Sequence, residues 1–380
     1  MGWSAIVIGM ALSAGVSVSG PEAAVAADGP AIIAYVFPKD RVIDPAEIAA
    51  DKMTHVNYAF ANVEAGKVVT GFKHDAENFK ILARVRKLHP HLKVLVSVGG
   101  WTWSGAFSDV SLTPESRKRF VDSAVDFARR HDLDGVDIDW EYPGLPGNGN
   151  TNRPEDRQNF TALMADLRAA LDKAGAAAGR RHYLLTFAAG SSGDFLEHTE
   201  MEKVQASVDF VNLMTYDFRE AGDSGEAGHH ANLFPSPGDP QNLSVDRSVR
   251  EFLAAGVPPA KLVLGVPFYG RAWGEVGVPN DGLYQPGKAT REHIDTHYVN
   301  LASLADGQKG YVRRWDADAQ APFLWNAGER IFISYEDPES LRAKSRYILE
   351  HHLGGAMFWE YYADPTRALL GTLSAELRGK

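Results

Sequence analysis

Short apolar segments recur along the chain from Ala31 onward, and several of them are rich in β-branched residues. Nearly continuous apolar runs of this length are typical of strands that are buried on both faces, as in a parallel sheet. We predict a strand for each of eight runs: residues 31–37, 55–60, 93–100, 135–139, 183–188, 208–214, 262–266 and 355–359.

Amphipathic segments separate many of these runs. One predicted helix starts at Thr113, an N-cap residue followed by Pro114, and a later one starts at Asp337 and ends before Gly354. Strands that alternate with helices predict an α/β fold, and eight such units favour a closed (β/α)8 TIM barrel. An open doubly wound sheet is the alternative, but the G-x-G-x-x-G that usually follows its first strand is absent.

The alternation stops between Trp273 and Asp337. This interval contains Gly, Tyr, Trp and charged residues without a clear strand–helix period, and it is too long for a simple loop. We therefore predict a small inserted α+β subdomain at about residues 274–336, within one domain that covers residues 27–380.

Composition narrows the classes of partner. The 380 residues carry a formal net charge of −10, which argues against nucleic acid or an anionic membrane as a partner. The apolar share of 44% is sufficient for a large core, and without cysteine the chain has neither disulfides nor thiol chemistry. We expect a monomer.

The first 26 residues resemble an export signal. An apolar segment at residues 6–18 precedes Ala24-Val25-Ala26, which is typical of a cleavage site, although no basic residue precedes Lys39. The segment is too short to span a bilayer comfortably, and no later segment reads as transmembrane. We expect a secreted protein whose mature chain starts near Ala27. An N-terminus that is disordered or wrongly assigned is the alternative.

Acidic residues alternate strictly in and after the fourth predicted strand, where residues 134–142 read DGVDIDWEY. Successive side chains of a strand point to opposite faces, so Asp137, Asp139 and Glu141 share one face and the apolar residues between them share the other. Asp134 has the opposite parity. We interpret it as a structural residue at the start of the strand.

Three carboxyls this close together cannot all remain ionised, so at least one should hold a proton near neutral pH. A protonated carboxyl at the end of a strand is a candidate general acid. The alternative is a Ca²⁺ site or a solvated acidic turn, but Ca²⁺ loops usually add Asn, Gly and backbone ligands on a flexible loop. We therefore predict no metal site, and nothing in the sequence calls for a cofactor.

This segment resembles the signature of glycoside hydrolase family 18, the chitinases and their relatives. The resemblance rests on four acids at fixed spacing, with one Gly and two aromatic residues between and after them: Asp134, Gly135, Asp137, Asp139, Trp140, Glu141 and Tyr142. The resemblance covers roughly residues 32–370, including an insertion after the seventh strand that marks the subfamily with deep clefts. It implies a hydrolase whose partners are chitin and chito-oligosaccharides.

The resemblance also implies individual roles. Glu141 would donate a proton to the glycosidic oxygen, and Asp139, sharing a proton with Asp137, would turn to hold the acetamido N–H of the substrate. The acetamido oxygen, oriented by Tyr216, would attack and form an oxazolinium ion with retention of configuration. Trp359 would support the sugar, and other substrate-binding positions would be Tyr35, Phe60, Gly100, Trp101, Tyr142, Met214, Asp217, Tyr269 and Arg271.

Flat apolar rings stack well on sugar faces. We expect roughly half of seven tryptophans to line a cleft and the rest to lie in the core: Trp101, Trp103, Trp140, Trp273, Trp315, Trp325 and Trp359. A chitinase, acting internally or from chain ends, is the leading hypothesis. The alternatives are an endo-β-N-acetylglucosaminidase acting on N-glycans, which the insertion and Tyr269-Gly270-Arg271 disfavour, and a non-catalytic chitin-binding lectin, which the intact acids disfavour.

Overall fold

The computed structural model describes residues 29–222, 225–239, 241–290 and 294–379. The main sheet contains nine strands: β1 (Ala31–Val36), β2 (His55–Glu64), β3 (Lys67–Thr70), β4 (Lys93–Gly99), β5 (Gly135–Asp139), β6 (Leu184–Gly190), β7 (Phe210–Met214), β9 (Leu262–Pro267) and β15 (Gly355–Trp359). All of them except β3 pair in parallel, and β1 pairs with both β2 and β15, which closes an eight-stranded barrel.

The eight predicted strands are the eight barrel strands, so the (β/α)8 prediction is confirmed. The main difference is at β2, which continues to Glu64 and turns back into the antiparallel β3. Ten α-helices lie in the described ranges: α1 (Asp75–Leu88), α2 (Phe107–Ser111), α3 (Pro114–Arg130), α4 (Asp156–Ala177), α5 (Gly193–Glu197), α6 (Met201–Val204), α7 (Val245–Ala254), α8 (Tyr298–Ala305), α9 (Pro338–Glu350) and α10 (Ala368–Arg378).

Two predicted helix starts are observed with their caps. The Thr113 side chain accepts a hydrogen bond from the backbone of Ser116 at the start of α3, and the Asp337 side chain accepts from Glu339 and Ser340 at the start of α9. Each satisfies backbone N–H groups that have no partner within the helix.

A second, antiparallel sheet follows β9. Its strands, in spatial order, are β12 (Val312–Asp316), β13 (Ala321–Asn326), β14 (Ile331–Ser334), β10 (Arg271–Gly274), β11 (Pro286–Ala289) and β8 (Gly225–Glu226). Helix α8 lies between β11 and β12 in the chain. The part of this sheet that follows β9 therefore starts at Arg271, slightly before the predicted boundary, and β8, from the loop after β7, forms one edge of the sheet.

The core between barrel and helices fixes the acidic strand β5. Trp140, just after β5, is fully buried and stacks on Phe107, with ring centroids 5.5 Å apart. At the start of β5, a Cβ on Gly135 would lie 2.1 Å from the carbonyl oxygen of Leu184, so only glycine allows β5 and β6 to approach this closely.

Across the described ranges, no helix is long and apolar enough to cross a membrane. The predicted export signal at residues 1–26 lies outside the described residues.

Candidate active site

A cleft of about 1220 Å³ opens at the C-terminal ends of the barrel strands. This is the end at which TIM barrels place their functional groups. Twelve of the fourteen predicted site residues line it: Tyr35, Phe60, Trp101, Asp139, Glu141, Tyr142, Met214, Tyr216, Asp217, Tyr269, Arg271 and Trp359.

The other two lie behind its surface. Asp137 is buried beneath the cleft. Gly100 lies against the ring of Phe60, since a Cβ on Gly100 would meet that ring at 2.7 Å. The structure therefore places Gly100 under a ring that lines the cleft, and not on the lining itself.

Asp137 accepts hydrogen bonds from four side chains of four other barrel strands. Tyr35 and Ser97 donate to Oδ2 at 2.9 and 2.7 Å, and Thr186 and Asn212 donate to Oδ1 at 2.5 and 3.2 Å. Burial raises the pKa of Asp137, while these hydrogen bonds favour the ionised form and oppose the shift. Both oxygens are occupied, so Asp137 is held firmly in one orientation.

Asp139 and Glu141 are also buried, but they have fewer partners. Oδ1 of Asp139 has no hydrogen-bond partner, and its pKa is well above the usual range because of burial and the charges of Glu141 and Asp137. Burial, with a smaller contribution from the charge of Asp217, raises the pKa of Glu141 to about 7, although a hydrogen bond with Tyr142 opposes this. A carboxyl that keeps its proton to about pH 7 can act as a general acid.

The pKa of Asp217 is shifted in the opposite direction to those of Asp139 and Glu141. Its carboxylate accepts from the Tyr269 hydroxyl and from Nε of Arg271, both at 2.7 Å, and His230 Nδ1 lies 3.5 Å away. Burial alone would raise its pKa, but hydrogen bonds with His230 and Arg271 lower the pKa of Asp217 below its usual range. Asp217 is therefore a fixed negative charge in the wall of the cleft.

The hydroxyl of Tyr216, the residue before Asp217, makes only a weak hydrogen bond. It contacts the Met357 sulfur, a weak acceptor, at 4.0 Å. Burial and the charges of Asp139, Asp217 and Glu141 raise its pKa well above the usual range, so the hydroxyl keeps its proton and can donate it to a ligand.

Aromatic rings form one wall of the cleft. Trp359 stacks on Phe60, with ring centroids 5.4 Å apart and planes at 20°, and lies 6.0 Å from Tyr35 and 5.5 Å from Phe37. Of the seven tryptophans considered in the sequence analysis, three line the cleft and four do not: Trp101, Trp103 and Trp359 do, whereas Trp140, Trp273, Trp315 and Trp325 do not. This division is close to the predicted half.

Asp134 has the structural role predicted from its parity. Its carboxylate accepts from the backbone N–H of Val94 at 2.9 Å and pairs with Arg86 and Arg181 at 2.9 and 2.8 Å. Asp134 therefore links β5 to β4 and to two arginines, at the end of the barrel opposite the cleft.

Several residues that support the site were not predicted. Ser97, Thr186 and Asn212 are polar residues inside otherwise apolar strands, a signal that could have identified them, because a buried polar group needs a partner. Ser104, which starts a short 3-10 helix after β4, was also not predicted: its hydroxyl donates to the carbonyl of Asp139 and accepts from the N–H of Glu141, at 3.0 and 2.9 Å. His230 lies in a loop with no comparable pattern.

No group of three or more His, Asp or Glu side chains in the described ranges is arranged to hold a metal ion. Buried carboxyls with raised pKa values at the C-terminal mouth of a TIM barrel are instead typical of barrel enzymes that use acid catalysis.

Comparison with known proteins identifies the family. Residues 31–364 match the model of glycosyl hydrolases family 18, so the chain belongs to this family and the resemblance read from the acidic signature is confirmed.

Named relatives agree with this assignment. Chitinase A1 of Niallia circulans is 38% identical, and the match covers 94% of this chain and 60% of that protein, so the chain spans only about 60% of its length. A family 18 N-acetylglucosaminidase from Paenibacillus barengoltzii has a TM-score of 0.83 and 40% identity, with 92% of this chain and all of that chain covered. Chitinase ChiA74 from Bacillus thuringiensis has a TM-score of 0.85 and 36% identity, with 92% and 70% covered.

Proposed function

We propose that this protein is a chitinase that hydrolyses β-1,4 linkages between N-acetylglucosamine units with retention of configuration. Glu141 is the general acid, and the acetamido oxygen of the substrate is the nucleophile. The observation that carries the proposal is the arrangement of three acids in and just after β5: Asp137 fixed below, Asp139 with an unpartnered buried oxygen, and Glu141 protonated up to about pH 7.

The state of the neighbouring carboxylates supports a nucleophile from the substrate. A retaining enzyme of the common type needs a second free carboxylate across the scissile bond from the acid. The carboxyls whose charges act on Asp139 and Glu141 are Asp137 and Asp217, and both are already engaged by several donors. Asp139 lies next to Glu141 and not opposite it, so none of these three carboxyls is placed as the free nucleophile, which supports the acetamido group in that role.

The proposed steps follow from these contacts. Tyr216 donates a hydrogen bond from its hydroxyl to the acetamido oxygen, and the Asp139 carboxyl, one oxygen of which has no partner in the protein, turns to accept from the acetamido N–H. Glu141 gives its proton to the leaving oxygen as the oxazolinium ion forms. The resulting Glu141 carboxylate then takes a proton from the water that attacks the anomeric carbon and opens the oxazolinium ring, which restores the protonated acid.

Release of single sugar units is a second candidate, because a structure 40% identical to this chain is of an N-acetylglucosaminidase. Binding without turnover and action on N-glycans are weaker candidates. From N-acetylglucosamine hexamer, a chitinase should release dimers and trimers and an enzyme that removes single units should release monomers only, whereas the two weaker candidates should give no cleavage.

The experiment that tests the mechanism follows the anomeric form of fresh products from the hexamer by fast chromatography. Freshly released β-anomer supports retention. Freshly released α-anomer means inversion by a water and a distant carboxylate, and the mechanism proposed here would be wrong. If the hexamer is not cleaved but a high-mannose glycopeptide is, the substrate assignment is wrong.

The acid assignment has its own test. Glu141→Gln should lower kcat by roughly 10²–10⁴-fold, the usual contribution of a general acid, with substrate binding largely kept. Glu115→Gln is the matched control, because Glu115 is an exposed glutamate in the first turn of α3, away from the cleft. Unchanged turnover in Glu141→Gln would remove Glu141 from the mechanism.

We also propose export as a monomer, since chitin is an insoluble extracellular polymer. N-terminal sequencing of the protein from culture medium should find a start near Ala27, and light scattering should give the mass of one chain. A protein retained in the cell with its first 26 residues intact would contradict export.

A further inference from the structure

Ser104 connects the ends of two neighbouring barrel strands beside the proposed general acid. Its side chain is buried, and its hydroxyl donates to the carbonyl oxygens of Gly100 and Asp139, each at 3.0 Å. The same hydroxyl oxygen accepts from the backbone N–H of Glu141 at 2.9 Å. One hydroxyl therefore links the turn after β4 to the residues on both sides of Trp140.

Glu141 lies beyond the regularly paired part of β5. The pairing of β5 with β4 ends at Asp139, opposite Gly99, and the N–H of Gly100 still donates to the Asp139 carbonyl at 2.8 Å. In a regular parallel ladder, the next hydrogen bond would join the Glu141 N–H to the Gly100 carbonyl. Here the hydroxyl of Ser104 is hydrogen-bonded to both of those groups. The hydroxyl therefore takes the place of one ladder hydrogen bond.

Two glycines make β4 turn away from β5 at this point. Gly99 and Gly100 have φ angles of +108° and +78°, a backbone region that residues with a Cβ rarely adopt. The Gly100 carbonyl also accepts from the N–H of Trp103 at 3.1 Å, in the turn that leads to the short 3-10 helix Ser104–Ala106. The N–H of Glu141 thus loses its regular partner, and a buried N–H needs another one.

We infer that Ser104 is a positioning residue for the general acid: by holding the backbone of Glu141, it sets how far the carboxyl reaches toward the glycosidic oxygen. This rests on the proposed function, which makes Glu141 the acid. A glutamate side chain has several rotatable bonds, so the place of its carboxyl depends on how firmly its backbone is anchored. Proton donation requires hydrogen-bond reach, and a misplacement of about 1 Å can cost about 10²-fold in rate.

The partners of Ser104 argue against a role confined to its own helix. A serine at the start of a helix usually accepts a hydrogen bond from an N–H of that helix. The Ser104 oxygen instead accepts from Glu141, which is 37 residues away in the chain. The same segment also holds the residue before the acid, because the ring of Phe107 stacks on Trp140. Residues 104–107 therefore contact both Trp140 and Glu141, as a support for the acid should.

The test compares two leaving groups, since only a poor leaving group needs the proton of a general acid. Cleavage of N-acetylglucosamine tetramer expels a sugar hydroxyl, whereas the para-nitrophenyl glycoside of the dimer expels a phenolate that is stable without a proton. Ser104→Ala should lower kcat/KM for the tetramer by about tenfold or more, and for the nitrophenyl substrate by less than about threefold. Ser111→Ala is the matched control and should change neither value. Ser111 is also a buried serine whose hydroxyl donates to a backbone carbonyl, but that carbonyl belongs to Ser108 and not to the acidic strand.

Glu141→Gln tests the proposed function separately. It should lower kcat/KM far more for the tetramer than for the nitrophenyl substrate, and equal losses would mean that the proposed mechanism is wrong. If Glu141→Gln distinguishes the two substrates but Ser104→Ala lowers both values equally, or neither, the mechanism stands and the inference about Ser104 is wrong.

A second variant covers the case in which thermal unfolding shows that Ser104→Ala is not folded. Ser104→Cys keeps the volume of the side chain and weakens both hydrogen bonds, because a thiol is a weak donor and a weak acceptor. It should give an intermediate loss that is confined to the tetramer. Unchanged activity, or an equal loss on both substrates, would overturn the inference here as well.

Discussion

Replacing Asp137 by Asn and by Ala should separate the effect of its charge from the effect of its hydrogen bonds. The carboxylate is fully buried and accepts from hydroxyls of Tyr35, Ser97 and Thr186 and from the amide of Asn212. Asp137→Ala removes all four acceptor contacts. Asp137→Asn keeps the shape of the side chain and one acceptor oxygen, but removes the charge.

The expected losses of stability differ because of these donors. A buried donor left without a partner costs about 1–3 kcal/mol, so with two or three unpaired donors Asp137→Ala should lower the free energy of unfolding by about 3–6 kcal/mol. In Asp137→Asn the oxygen can face Thr186 and Asn212, and the amide can donate to Tyr35 and Ser97, whose hydroxyls can turn to accept. We expect a loss of about 1–2 kcal/mol, because neutral hydrogen bonds replace charge-assisted ones.

Chemical unfolding of the two variants and hydrolysis of a soluble chito-oligosaccharide measure the two effects. Both variants should lose most of the activity, on the order of 10²-fold in kcat, because neither can exchange a proton with Asp139. Equal losses of stability in Asn and Ala would refute the account based on four donors. Full activity in Asp137→Asn would refute the need for a charge beneath Asp139.

Three further predictions concern the other ionisable groups. Because burial raises the pKa of Glu141 to about 7 and the acid must be protonated, kcat/KM should be steady below this pH and fall above it, as a pH–rate profile will show; a fall centred near pH 4.5 would contradict the burial effect. Asp217→Asn removes a negative charge that raises the pKa of Glu141, so the same profile should move to lower pH, and an unmoved limb would exclude this coupling. Lys344→Met leaves Glu336 buried without its ion-pair partner, and should lower the free energy of unfolding by about 3–5 kcal/mol. Adding Glu336→Gln should recover part of that loss, and equal stability of the single and double variants would indicate that the pair is not coupled.

The convergence of the acids could be predicted from the sequence because it depends on a local property. The two-residue period of a strand puts Asp137, Asp139 and Glu141 on one face whatever the rest of the chain does. Each apolar run could likewise be recognised from its own residues, and the barrel follows from the number of these runs and their alternation with helices. The parity of Asp134 also predicted its structural role correctly.

The partners of these acids could not be predicted, because they depend on register between strands. Ser97 and Thr186 reach Asp137 because both lie directly beside it in the parallel pairings of β4 with β5 and of β5 with β6. A shift of one residue would turn each side chain to the opposite face. The same limit applies to His230 and Phe72, which come from loops: His230 contacts Asp217 behind the cleft, and Phe72 lines the cleft against Phe37. It also applies to β8, which joins a sheet formed mainly by residues after β9.

The site shows how one strand can carry acids of the same type in different states of protonation. All three carboxyls are buried, and burial raises each pKa. They differ in the number of donors: Asp137 has four, whereas one oxygen of Asp139 has none. Hydrogen-bond donors favour the ionised form of a carboxyl, so we expect the negative charge on Asp137 and a proton on Asp139 or Glu141. Glu141 follows the end of β5 and lines the cleft, and burial raises its pKa to about 7, so it is the carboxyl that can both hold a proton and release it near neutral pH.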